Sequence, residues 1–197
     1  MRHLVRIVLA AILVFWIAYA VSPYVALYRL ALAVEARDFD TLREAVNLRA
    51  VRISLARQLV PEYLKAIERE RELRPADRDL AVAVGASVAD PLIAQLLSPE
   101  ALIDLLEDGW PQSVAPEKPE NFTHFDIDAL TRFGRLLVAS ETRGFRAFTV
   151  TLPEHGKPEE QFRLRLRFRQ LGWRVTGIDL PLSLRRSLIR QLPKIGG

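Results

Sequence analysis

The residues best placed to do chemistry stand in the stretch Thr123-His124-Phe125-Asp126-Ile127-Asp128. In an extended strand alternate side chains leave the same face. His124, Asp126 and Asp128 would then present one imidazole and two carboxylates side by side. A mixed nitrogen and oxygen set of this kind can hold zinc or manganese, and a metal so held activates water for hydrolysis. The plainer and preferred reading is a solvated strand edge whose opposite face buries Phe125 and Ile127. His155 lies among turn formers between Pro153 and Pro158, where an exposed histidine needs no function. No Gly-x-Ser-x-Gly elbow, P-loop or Gly-x-Gly-x-x-Gly fingerprint occurs, so serine hydrolysis and nucleotide binding have no basis in the sequence. The chain has no cysteine, which excludes disulfides, iron–sulfur clusters, thiolate zinc sites and cysteine nucleophiles. Neither a cofactor nor a catalytic residue is expected.

A second pattern is less ordinary. From Phe162 to Arg169 apolar residues alternate strictly with arginines. On a strand rising roughly 3.3 Å per residue, Arg163, Arg165, Arg167 and Arg169 share one face, about 6–7 Å apart. Like charges at that spacing repel, so neighbouring carboxylates, water or a bound anion must relieve them. The guanidinium fork suits lipid phosphates or an acidic envelope protein, and Arg146 or Arg174 on adjoining strands can extend the patch. Nucleic acid fits poorly, because no aromatic side chains are interleaved on the polar face.

The strand that carries this ladder belongs to a run of period-two segments. Phe122, Phe125 and Ile127 open it, and Leu136-Leu137-Val138 continues it. Phe148, Val150 and Leu152 then alternate with Ala147, Thr149 and Thr151, and a last strand holds Trp173, Val175, Ile178 and Leu180. Such alternation predicts an antiparallel meander with one buried and one wet face. Leu182 to Leu192 reads as a short basic amphipathic helix.

Before Gly109 the period is helical. Leu27, Leu30, Ala31 and Val34 form one stripe, ended by Arg37, Asp38 and Asp40. Thr41 to Glu44 has the form of a capping box opening a short helix. Asn47 caps a third helix with Val51, Leu55 and Leu59 on one face, and Pro61 kinks it or starts another. Leu80–Leu97 is apolar nearly all round. Asp90, Pro91 and Gln95 argue against a membrane span there and favour a buried helix, or two helices broken at Asp90-Pro91. That stretch could also line a cavity for a small apolar ligand. Ser98-Pro99-Glu100 starts a further helix, which Gly109 stops.

The amino terminus has its own signature. Arg2, His3 and Arg6 precede an uninterrupted apolar run, Ile7–Val21. Basic residues ahead of such a run hold the amino terminus in the cytoplasm. Ala18-Tyr19-Ala20 supplies a small-x-small site for cleavage near Ala20. Leu4, Val5, Tyr24, Val25, Leu27 and Tyr28 instead extend the run toward the ~20 residues that cross a bilayer, and Trp16, Tyr19, Tyr24 and Tyr28 gather at its outer end, where aromatic rings prefer the interface. An uncleaved anchor is the preferred reading, with a secreted product as the alternative. Charge is uneven beyond it: residues 1–128 carry 14 Lys and Arg against 19 Asp and Glu, whereas residues 129–197 carry 14 against 5, for net charges of −5 and +9. The expected organisation is an anchor over 1–28, a helical half over 29–108, a proline-rich loop over 109–121 and a sheet half over 122–197. Helices first and strands after imply α+β: an N-terminal membrane helix, then helices packed on one face of a curved antiparallel sheet.

Three stretches carry a resemblance. Ser22–Leu59, which opens Ser-Pro-Tyr, runs through Ala-Leu-Tyr and reaches Leu-Arg-Ala-Val-Arg-Ile-Ser-Leu. Leu97–Leu106 reads Leu-Ser-Pro-Glu-Ala-Leu-Ile-Asp-Leu-Leu, and Trp173–Pro181 closes the set. Together they resemble the bacterial family known as domain of unknown function 2939 (DUF2939). Asn47 departs from the pattern, which has an acidic residue there. The resemblance implies an envelope-exposed bacterial protein with no established activity, and it assigns no functional residues. A membrane-tethered, non-enzymatic binding domain facing the periplasm is therefore the expected function. Its expected partners are the membrane itself, anionic lipid or an envelope protein, and nucleic acid is not among them.

Overall fold

The computed structural model describes residues 2–70, 78–118, 140–142, 144–152, 157–170 and 172–192. Five helices come first: α1 (Arg2–Glu35), α2 (Phe39–Ala45), α3 (Leu48–Glu70), α4 (Arg78–Leu96) and α5 (Pro99–Glu107). The strands β1 (Ser140–Thr142), β2 (Ala147–Leu152), β3 (Phe162–Arg169) and β4 (Gly172–Asp179) follow, and helix α6 (Leu182–Arg190) closes the chain. The strands form one antiparallel sheet in the order β1-β2-β3-β4, so the class is α+β as the segregated periods imply.

Helix α1 has two different halves. Every described residue before Tyr19 is exposed, whereas Leu27, Leu30, Ala31 and Val34 are fully buried in the core. One unbroken helix thus runs from an apolar rod in the open into the middle of the domain. Among the described residues it is the one helix long and apolar enough to cross a membrane. It passes through Pro23, which has no N–H to give the Tyr19 carbonyl. The Ser22 hydroxyl takes that place, donating to Tyr19 O at 2.7 Å.

The helix ends in a Schellman turn. Arg37 takes φ 50°, its N–H donates to Val34 O, and the Asp38 N–H reaches back to Ala33 O at 2.8 Å. Asp38 then caps α2 itself, accepting from the Asp40 and Thr41 N–H groups. The cap expected at Thr41 therefore stands three residues earlier, at Asp38. Thr41 lies inside the helix and donates its hydroxyl to Asp38 Oδ2 at 2.5 Å. Asn47 and Ser98 do cap α3 and α5, each accepting an N–H three residues on.

Two prolines leave their helices continuous: Pro61 lies inside α3 and Pro91 inside α4. Packing overrides the local signal in α4. Ala89, Leu92, Ile93 and Leu96 are buried on both sides of Asp90-Pro91. Across that junction Arg52 of α3 grips Asp90 with both carboxylate oxygens, at 2.6 and 2.7 Å from Nη2, which holds the Arg52 guanidinium above its usual range through the Asp90 hydrogen bond and charge.

Phe148, Val150, Phe162, Leu164, Leu166, Val175 and Ile178 line the core face of the sheet and join α1, α3, α4 and α5 in a single cluster. Trp110, in the proline-rich loop, is also fully buried there and donates its indole N–H to Ala115 O. Strand β4 is one edge of the sheet, and α3 closes it with side chains. Gln58 donates from Nε2 to Ile178 O at 2.7 Å and accepts the Leu180 N–H on Oε1 at 2.8 Å, as a neighbouring strand would. Upstream, the Asn47 N–H donates to Val175 O at 2.8 Å. An edge so covered offers no template for pairing with another chain. At the far end Glu160 accepts from the Ser183 N–H and hydroxyl, setting a carboxylate on the positive first turn of α6.

Candidate functional site

Strand pairing puts the arginine ladder on the wet face. Arg163 lies opposite Asp179 and Thr151, Arg165 opposite Gly177 and Thr149, and Arg167 opposite Arg174 and Ala147. An irregularity between Arg165 and Leu166 puts an extra residue, Thr176, into β4. Without it Val175 and Ile178, both buried, could not point to the same side.

The four arginines meet different surroundings. Arg163 is half-buried and donates from Nη2 to Gln161 Oε1 at 3.0 Å, while its Nε is buried with no partner among the described residues. Arg165 donates from Nη2 to Ser54 Oγ and to Asp179 Oδ1, each at 2.8 Å. It lies flat across Gly177, which has no side chain to lift it. Arg167 and Arg169 are exposed, and among the described residues neither makes an ion pair. The repulsion is thus relieved by a carboxylate at Arg165 alone, and toward the Arg169 end the positive charge stands open.

Helix α3 overhangs this face and turns it into a groove of about 430 Å³. Arg57, Arg165, Arg167 and Arg169 bring cations to it, and Asn47, Ser54, Thr149 and Thr176 bring neutral hydrogen-bonding groups. Arg57 escaped the sequence reading because it lies more than a hundred residues from the ladder. Its helical position beside Ser54, turned away from Val51, Leu55 and Leu59, is the signal that could have found it. Such a groove suits a phosphate or carboxylate in chemical terms.

The open end of the ladder abuts α1. The rings of Tyr19 and Phe168 lie 5.6 Å apart edge to face, and those of Phe168 and Trp173 lie 5.5 Å apart. Trp173 donates its indole N–H to Ser22 Oγ at 2.8 Å. Beyond them the β1–β2 turn brings Phe145 to 5.6 Å from Trp16, and the Tyr19 hydroxyl donates to Phe145 O. Two hollows flank Phe145. One, of about 500 Å³, is apolar and includes Tyr19, Tyr24, Phe148 and Trp173 in its wall. The other, of about 520 Å³, is ringed by Arg146, Arg167 and Arg169.

His124, Asp126, Asp128 and His155 lie outside the described residues, as do Phe122, Phe125, Ile127 and the strand expected at Leu136-Leu137-Val138. Of the Leu80–Leu97 stretch, Ala89, Leu92, Ile93 and Leu96 enter the core, and the side chains of residues 80–85 lie outside the described ones.

Fold and site together define an α+β domain whose core includes the second half of one long apolar helix, with a cationic groove on its open sheet face. A family model described as "Protein of unknown function (DUF2939)" matches residues 12–105. The match begins within α1 and ends within α5, so it supports the resemblance across the helices and stops before the sheet and the Trp173–Pro181 stretch. No curated protein and no solved structure matches the chain.

Proposed function

We propose that this is a single-pass, membrane-anchored protein of the bacterial envelope, whose domain faces the periplasm and works by binding rather than by bond-breaking chemistry. The observation that carries the reading is the unbroken α1, exposed and apolar in its first half and buried in the domain in its second. An amphipathic helix of a water-exposed surface would show a polar stripe, and this one shows none between Ile7 and Val21. Arg2 and Arg6 orient it with the amino terminus inside. The ligand class follows from the groove: an anion with phosphate or carboxylate groups, taken by Arg57, Arg165, Arg167 and Arg169.

Retention of the anchor is favoured over cleavage near Ala20. Cleavage there would cut a continuous helical turn and remove Trp16 and Tyr19, the aromatic partners of Phe145 and Phe168. Carboxyl-terminal fusions test the topology in a bacterial host. A phosphatase reporter is expected to be active and a fluorescent reporter dark, and the reverse pattern overturns the periplasmic placement. The intact mass of the protein recovered from membranes is expected to begin at Met1. A mass beginning near Val21 makes the product secreted instead.

A further inference from the structure

The junction between helix and sheet brings an apolar wall against the open end of the arginine ladder. Phe145 is 70% exposed, yet it packs on Trp16, which is six residues down α1 from Ser22. At 1.5 Å per helical residue that is about 9 Å. Resting on the anchor reading above, Trp16 stands in the outer interfacial layer of the bilayer, where aromatic rings prefer to lie, so Phe145 enters the same layer. Its apolar hollow opens against α1, and the hollow on its other side carries Arg146, Arg167 and Arg169. Among the described residues none of these three arginines has a carboxylate partner, and Arg174 adds charge from β4. An apolar slot and a cationic slot divided by one ring match the two ends of one molecule, a fatty chain and a phosphate.

We propose that this junction is a binding site for an anionic phospholipid of the outer leaflet of the membrane that α1 crosses. The acyl chain lies between α1 and Phe145, and the headgroup phosphate meets Arg146 and Arg169. Arginine forks suit phosphate oxygens, and the hydrogen-bonded Tyr19 and Trp173 hold the walls in place. The site also fixes the domain against the bilayer, with the Arg169 end of β3 nearest the surface.

The full chain, purified in detergent and mixed with equal amounts of dioleoyl phosphatidylglycerol and dioleoyl phosphatidylcholine, tests this by native mass spectrometry. One phosphatidylglycerol adduct is expected, favoured roughly tenfold over phosphatidylcholine, equivalent to about 1.4 kcal/mol. Arg146→Glu combined with Arg169→Glu is expected to remove the preference, and Phe145→Ser to weaken retention of both lipids. Arg186→Glu, on α6 and in the wall of neither the groove nor this junction, is expected to change neither. These side chains are exposed, and an unchanged circular dichroism spectrum shows that each variant folds. Equal retention of the two lipids, or a preference that survives the double arginine reversal, overturns the site. The reporter fusions judge the topology separately, so a failed lipid site leaves the anchor reading intact and a failed topology shows in the fusions alone.

Discussion

Trp173 donates its indole N–H to the hydroxyl of Ser22, a residue 151 positions earlier, at 2.8 Å. The bond exists because of a proline. Pro23 cannot serve the Tyr19 carbonyl, the Ser22 hydroxyl does so in its stead, and its oxygen is left turned toward the sheet to accept from Trp173. A Ser-Pro pair inside a helix thus becomes the fastening between α1 and β4.

Ser22→Ala strips both groups of their partner. A part-buried indole N–H and a helix carbonyl lose their bonds, and a loss of about 1–2 kcal/mol of stability follows. Ser22→Thr keeps the hydroxyl and most of the stability. Denaturant unfolding of the full chain in detergent, followed by near-ultraviolet circular dichroism, measures both. An alanine variant as stable as the parent removes the fastening.

Gln58 offers a second test. It acts as one peptide unit of an absent fifth strand, giving a donor to Ile178 and an acceptor to Leu180. Gln58→Met has similar volume and neither group. The Leu180 N–H then has no partner at this position, while the Ile178 carbonyl keeps the Ser54 hydroxyl. The expected cost is about 2 kcal/mol. Gln58→Glu keeps the acceptor but faces the Ile178 carbonyl with a carboxylate. Protonation restores a donor, so this variant gains stability relative to the parent as pH falls. Thermal unfolding of the three proteins at neutral and acid pH reads the difference.

The sheet and the helical stripes were legible in the sequence because they rest on periodicity, which burial enforces residue by residue. Phe162, Leu164 and Leu166 face the core and the arginines between them face water, as alternation requires. What escaped were choices that only distant neighbours decide. Pro91 leaves the sequence open between one buried helix and two, and the structure takes the single helix, which passes through it between buried Ala89 and Leu92. The loop after Gly109 shows no apolar period, yet Trp110 fills the core from it. Arg57 joined the arginine face through folding alone. Thr41 has the local form of a cap, but the αL turn at Arg37 frees Asp38 for that role, and such a turn leaves no mark in a sequence without glycine there.

The cap at Asp38 carries a pH dependence. Hydrogen bonds from the Thr41 side chain, then the Thr41 and Asp40 N–H groups, hold its carboxyl below the ordinary value of 3.8. A carboxyl with a lowered folded-state pKa contributes stability that is present above the unfolded pKa and is lost as pH falls through the folded one. The corner between α1 and α2 therefore weakens only in strong acid. Asp38→Ala is expected to unfold earlier than the parent at pH 7, and the gap to narrow once pH drops below about 4. A gap that stays constant into strong acid assigns the effect to something other than this carboxylate.

Arg165 is held in place by two neighbours, Ser54 of α3 and Asp179 of β4. A β-carbon at Gly177 would stand 2.9 Å from its Nε and Nη2, too near for either to stay. Because the guanidinium is the far end of a flexible side chain, Gly177→Ala moves it rather than the strand. Its bonds to Ser54 and Asp179 are given up for about 1 kcal/mol or less, since the pair is half exposed to water. The freed cation turns into the groove beside Arg57 and Arg167. Asp179→Asn removes the same restraint by charge alone and without touching the backbone. Both variants are therefore expected to bind inorganic phosphate about threefold more tightly than the parent, a change near 0.65 kcal/mol, in calorimetric titrations of the full chain at low salt. The gain fades at high salt, where exposed charges are screened. If neither substitution strengthens phosphate binding, Arg165 belongs to the scaffold of the sheet and the groove's ligands are Arg57, Arg167 and Arg169.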